Sequence, residues 1–131
     1  MQFSQFNTLV EEGYNHIPLS REVVVDTDTP LALYLKLANT PFTYFLESVQ
    51  GGEKWGRYSF IGLAAETIIK VNEYEIFVEK NGYLQEKFDV QDPLAWIEDF
   101  QEQFKVPQLD NLPAFNGGLV GYFGYEIIRH I

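Results

Sequence analysis

Cysteine is absent from this chain of 131 residues, which excludes a disulfide framework and a thiolate metal centre. Histidine occurs only twice, at His16 and His130, in positions too distant and too unlike in context to suggest a metal pair. No His-x-x-x-His, no Ser/His/Asp arrangement and no acidic cluster with metal-ligand spacing is present. Basic residues are scarce, nine against nineteen acidic ones, for a formal charge of −10. Such a surface repels phosphate backbones and anionic lipid, so neither nucleic acid nor a membrane is an expected partner. No run of about 18 apolar residues exists. The opening MQFSQFNTL lacks the basic start and apolar middle of a secretion signal. A soluble, unexported, cytoplasmic protein is the expectation. No internal repeat, low-complexity tract or charge block interrupts the chain.

What the chain does contain is apolar and aromatic. A hydrophobic content of 46% with 16% aromatic residues is globular and argues against disorder. A chain of this length should bury one core, and residues 1–131 are expected to form a single domain. Rings should make much of that core or of an interface.

The spacing of Phe3, Phe6, Leu9 and Val10 predicts a helix over residues 3–12, with Gly13 placed as its left-handed cap. Val23, Val24 and Val25 favour extended chain. Asp28 or Thr29 before Pro30 reads as a helix start. The helix over residues 30–38 that follows is almost wholly apolar and should be covered on most sides. Strands are expected over residues 42–49, 57–63, 67–71, 74–79 and 83–88 as an antiparallel meander, with Asn81-Gly82 giving the strongest hairpin signal. Asp92-Pro93 repeats the cap-and-proline start for an amphipathic helix over residues 93–104, in which Glu98, Asp99 and Glu102 form the wet face. Glu11 and Glu12 receive the same solvated reading. Residues 119–125 should be extended. A helix should begin at Glu126, with Ile127, Ile128 and Ile131 on an apolar stripe that predicts a chain continuing further. The fold class is therefore α+β: an antiparallel sheet carrying helices near residues 3–12, 30–38 and 93–104.

Three segments concentrate the chemistry. In FLESVQGGEKWGRYSFIG (residues 45–62), an apolar run ends in Glu47 and Ser48, passes through a glycine-rich turn with Lys54 and Arg57, and enters a second apolar run. A carboxylate and a hydroxyl at a strand end can meet a ligand cavity or merely satisfy the strand end. The turn lacks the spacing of a phosphate loop. Arg57, Tyr58 and Ser59 fit a ligand pocket or an ordinary polar hairpin edge. In GGLVGYFGYE (residues 117–126), recurrent glycine suggests that a backbone or ring packs closely against it.

Together with REVVVDTDTPLALYLKLA (residues 21–38), these segments make the chain resemble, over nearly its whole length, the N-terminal part of the anthranilate synthase large subunit. In that chorismate-using family an L-L-E-S motif holds the feedback inhibitor tryptophan, and Phe45-Leu46-Glu47-Ser48 matches it with one aromatic change. The resemblance implies that Ser48 contacts the bound amino acid, that Glu47 helps to receive its ammonium group, and that Leu46, Arg57, Tyr58 and Ser59 lie at or near the pocket. It assigns no catalytic residue here, because the lyase centre and its magnesium belong to the C-terminal portion of the family. It also implies a partner, the glutamine amidotransferase subunit that supplies ammonia, and a larger two-sheet sandwich completed by that C-terminal portion. Residues 1–131 would be regulatory and scaffold in role, inactive alone, and would carry half of the inhibitor site. Two alternatives remain open at this level: the matching part of aminodeoxychorismate synthase, and a stand-alone amino-acid-binding module.

Overall fold

A computed structural model describes residues 1–47, 58–110, 112, 113 and 115–130. The expected glycine-rich link at residues 51–56, with Ser48 and Arg57, lies outside these. The described elements are helices α1 (Phe3–Glu11), α2 (Pro30–Leu37) and α3 (Pro93–Glu102), strands β1 (Tyr44–Glu47), β2 (Ser59–Gly62), β3 (Thr67–Asn72), β4 (Glu75–Lys80) and β5 (Tyr83–Asp89), and a 3₁₀ turn over Tyr125–His130. The architecture is α+β with two small antiparallel sheets, ordered β1-β2 and β3-β4-β5. Where one meander was expected, hydrogen bonding separates two ladders. Residues 63–66 between β2 and β3 take no strand pairing.

The chain divides into two compact units, residues 1–23, 71–76 and 89–131 in one, and residues 24–70 and 77–88 in the other. In the first unit, α1 ends as its sequence dictates. Gly13 adopts φ 91°, a conformation costly for any residue with a Cβ. Its N–H reaches Val10 O at 3.0 Å, and the Tyr14 N–H reaches Leu9 O at 3.1 Å, so two carbonyls orphaned at the helix end are satisfied. Asp92 caps α3 by accepting from the Leu94 and Ala95 amides at 2.9 and 3.0 Å, and Pro93 in the first turn is buried. Rings spaced four apart then line α3. Trp96 stacks on Phe100 with centroids 5.3 Å apart, and Phe100 meets Phe104 edge-on at 5.3 Å. Glu98, Asp99 and Glu102 are exposed, as are Glu11 and Glu12.

Asn15 joins the ends of α1 and α3, a role the sequence did not signal. Its Nδ2 donates to Gln103 O at 2.7 Å, and its Oδ1 accepts from the Lys105 amide at 2.8 Å. The same oxygen lies 3.0 Å from His16 Nδ1, so the imidazole donates through that nitrogen. The Asn15 and His16 amides both donate to Lys105 O, and the His16 ring stands edge-on to Phe104 at 4.7 Å. Histidine here is a packing residue. Asn15→Ala removes the side-chain bonds and leaves the backbone ones, so stability should fall by about 1 kcal/mol, read as a lower denaturant midpoint at unchanged slope.

In the second unit, Thr29 is the cap of α2. Its hydroxyl accepts from the Ala32 amide at 3.1 Å, with Pro30 in the first turn. Ala38 is buried, but the expectation that α2 is covered on most sides fails: Leu31, Leu35 and Leu37 are 51%, 55% and 66% exposed. Helix formation needs only local caps and propensity, whereas cover needs a neighbour, and among the described residues none lies over that face. Asn81 and Gly82 adopt φ 52° and 80°, the positive pair of a type I′ turn, which matches the twist of β4 and β5. Lys70 pairs with Glu79 at 2.6 Å across β3 and β4, and Lys87 lies 5.2 Å from the Phe77 ring centroid.

Other expectations need correction. Residues 23–25, expected to be extended, join no ladder among the described residues, and Val24 is 84% exposed. A β-branched run becomes a strand only with a pairing edge to meet. Residues 119–124 likewise form no strand, with Tyr122 94% exposed. Among the described residues nothing approaches within 4 Å of a Cβ built at Gly121 or Gly124, and the close approach expected of this segment is not seen there. Gly117 and Gly118 instead serve backbone conformation, at φ 146° and 136°. The helix expected to begin at Glu126 is present as a 3₁₀ turn over Tyr125–His130, opened by Ile127 N–H to Gly124 O at 3.1 Å.

Candidate functional site at the end of the first ladder

β1 and β2 pair antiparallel with Tyr44 opposite Gly62, Phe45 opposite Ile61, Leu46 opposite Phe60 and Glu47 opposite Ser59. This register brings together two groups that the sequence separates by a polar link. Ser59 Oγ donates to Glu47 Oε1 at 3.4 Å, a long bond that leaves the carboxylate oxygens free to accept more. Glu47 is exposed and Ser59 half-buried. The pair is the last of the ladder among the described residues.

Because successive side chains of a strand alternate, Glu47, Ser59, Phe45 and Ile61 occupy one face. Leu46 and Phe60 occupy the other, beside Tyr44 and Gly62. Tyr58 precedes β2, is exposed, and tilts against Phe60 with centroids 6.2 Å apart. Of the six residues singled out from the sequence, Glu47 and Ser59 thus share one side, Leu46 the opposite one, and Tyr58 the approach to β2. Ser48 and Arg57 lie outside the described residues.

Three residues that support this ladder carried no sequence signal of their role. Tyr34 on α2 stacks on Phe45 with centroids 5.6 Å apart and 25° between planes. Thr43 Oγ1 donates to Thr40 O at 2.8 Å, which uses its only proton, so at 3.1 Å it accepts from the Tyr34 hydroxyl. Gly62 lies under the Tyr44 ring, whose Cδ1, Cε1 and Cζ occupy the space a Cβ would take. The close approach that recurrent glycine suggested near residue 121 occurs here instead.

A separate cleft of about 270 Å³ in the first unit is lined by Met1, Gln5, Pro18, Ser20 and Leu109, with no charged side chain among them. No group of three or more His, Asp or Glu suited to a metal ion occurs among the described residues. No helix among them is long and apolar enough to cross a membrane.

Comparison with known proteins bears on these readings. The chain is 51% identical over all 131 residues to anthranilate synthase component 1 of Pseudomonas aeruginosa, covering 27% of that protein. It is 52% identical over 124 residues, 95% of the chain, to the Neisseria gonorrhoeae protein of the same name, covering 25% of it. Against the Acinetobacter calcoaceticus protein the identity is 43% over 98% of the chain and 26% of the relative. This chain matches the N-terminal region of anthranilate synthase component 1. It spans about a quarter of the length of the curated relatives it matches. No family model and no solved structure matches it. The stretch matched to the Pseudomonas aeruginosa protein includes the residues of both β1 and β2.

Proposed function

We propose that the chain is the N-terminal, regulatory part of an anthranilate synthase component 1. The whole enzyme would convert chorismate and ammonia to anthranilate, pyruvate and water in the cytoplasm, as the first committed step towards tryptophan. The single observation that carries this is 51% identity over every residue of the chain to a protein of that name. Ammonia would come from glutamine through a component II partner.

Magnesium would neutralise the crowded carboxylates of chorismate and polarise the leaving pyruvyl group. The described residues hold no group of three or more His, Asp or Glu suited to it. Its ligands and the proton-transfer groups would belong to the C-terminal portion of the polypeptide.

The contribution of this region would be feedback control. Tryptophan, a zwitterion, leaves water favourably only where its ammonium meets an acceptor and its carboxylate meets donors. Glu47 would receive the ammonium group and Ser48 would contact the amino acid, with Leu46, Arg57, Tyr58 and Ser59 at or near the pocket and the other half supplied by the C-terminal portion. Bound there, tryptophan inhibits only by favouring a conformation that handles chorismate poorly.

The test is the product. Full-length polypeptide given chorismate and ammonium should release the ortho-substituted aminobenzoate, while residues 1–131 alone should release none. A para-substituted product would assign the chain to aminodeoxychorismate synthase instead, and turnover by residues 1–131 would place the chemistry in this region.

A further inference from the structure

Phe42 stands at a turn position whose backbone suits glycine. Pro41 and Phe42 form the turn that leads into β1. Phe42 adopts φ 61°, the left-handed conformation that a turn with proline at its first central position reserves for Gly or Asn at the second. For a bulky side chain it is costly. Two hydrogen bonds fix it: Phe42 O accepts from the Ala65 amide at 3.0 Å, and Thr43 Oγ1, next along the chain, donates to Thr40 O at 2.8 Å. The ring gains little cover in return, since Phe42 is 57% exposed.

Its surroundings in the second unit are apolar and open as well. Leu37 ends α2 and is 66% exposed, and Leu63 follows β2 and is 64% exposed. Because Tyr44 pairs with Gly62, Phe42 and Leu63 flank the same end of the first ladder, the end away from Glu47 and Ser59. Residues 37–43 and 63–65 include no charged side chain, although 21% of the whole chain is charged. A strained residue without packing among the described residues points to a contact made elsewhere.

The chemistry of the patch selects its occupant. Depletion of charge around an aromatic anchor marks the buried centre of an interface, and permanent interfaces are more apolar than those of exchanging partners. The matched region is 27% of the Pseudomonas aeruginosa relative, so the larger share of such a polypeptide lies outside it and stays covalently attached. We propose that Phe42, with Leu37 and Leu63, is the seat on which the C-terminal portion of the component 1 polypeptide docks, the left-handed backbone holding the ring out as its anchor. This rests on the chain being the N-terminal part of that polypeptide.

The experiment is hydroxyl-radical labelling of full-length component 1, each side chain being compared with the same residue in a synthetic peptide. Phe42, Leu37 and Leu63 should label at least about tenfold more slowly in the enzyme, whereas Tyr83, 74% exposed at the β4-β5 hairpin, should stay within about threefold. Labelling of Phe42 as fast as that of Tyr83 overturns the proposal. Protection that grows with protein concentration, or that needs component II, gives the patch to a second copy or to that subunit and overturns it too. Phe42→Gly separates anchor from turn: in a bare turn glycine relieves the backbone and raises the denaturant midpoint, whereas loss of an anchor lowers it and speeds labelling of Leu37 and Leu63. A raised midpoint with unchanged labelling overturns the anchor. If Phe42→Gly does not fold, the wild-type labelling decides. Release of the ortho-substituted product by the same preparation tests the parent enzyme, so loss of the docking seat leaves the proposed function standing.

Discussion

Glu47→Gln in the full-length enzyme should raise the tryptophan concentration for half-inhibition by about 10- to 100-fold, because a hydrogen bond to a charged group is worth about 1.5–3 kcal/mol. Glutamine is close to isosteric, and its amide oxygen can still accept from Ser59 Oγ, which lies 3.4 Å from the carboxylate. The end of the ladder is therefore kept while the negative charge proposed to receive the ammonium group is lost. Ser48→Phe should go at least as far by a different route. It removes a hydroxyl and adds a ring at the position proposed to contact the inhibitor, with lost bonding and overpacking each costing about 1–3 kcal/mol. Most turnover without tryptophan should survive Ser48→Phe if, as proposed, the lyase centre belongs to the C-terminal portion of the polypeptide. Inhibition curves at fixed chorismate check both, and superimposable curves for wild type and both variants would remove the inhibitor site from this region.

Gly62→Ala should destabilise the first ladder by about 1–3 kcal/mol, the range for forcing extra volume into a packed contact. Gly62 is not at positive φ, so its requirement is steric. The new methyl group would occupy the position of the Tyr44 ring, which faces it across the strand pair, and the ring would have to leave the sheet. Among the described residues the ladder has four residue pairs, so the loss of one ring from it is a large share of its packing. A double-mutant cycle with Tyr44→Ala isolates the cause. If the ring is the obstacle, Gly62→Ala costs much less in the Tyr44→Ala background, with a coupling of about 1–2 kcal/mol. Strict additivity of the two denaturation shifts would show that the glycine is there for another reason.

Local rules explain why so many elements were legible beforehand. Thr29-Pro30 and Asp92-Pro93 start helices because the cap hydroxyl or carboxylate and the fixed proline φ act within one turn. Gly13 ends α1 and Asn81-Gly82 turns β4 into β5 because each needs positive φ, which is a property of the residue itself. Failures occurred where a distant partner decides. Val23 to Val25 and residues 119–124 have the composition of strands and find no edge among the described residues. The leucines of α2 have the composition of a buried helix and find no cover. Asn15, Tyr34 and Thr43 are ordinary polar or aromatic residues in sequence, and their roles arise only when Gln103 and Lys105, or Phe45 and Thr40, come within hydrogen-bond or ring-contact distance.

The same division holds for the candidate site. The order of residues alone determined the resemblance to anthranilate synthase and the candidacy of Glu47 and Ser48, because a motif is a covalent pattern that needs no fold to be read. Register decided the rest. Pairing Glu47 with Ser59 places Phe45 on the side of the carboxylate and Leu46 on the other, since a strand alternates its side chains and a slip of one residue would exchange the two faces.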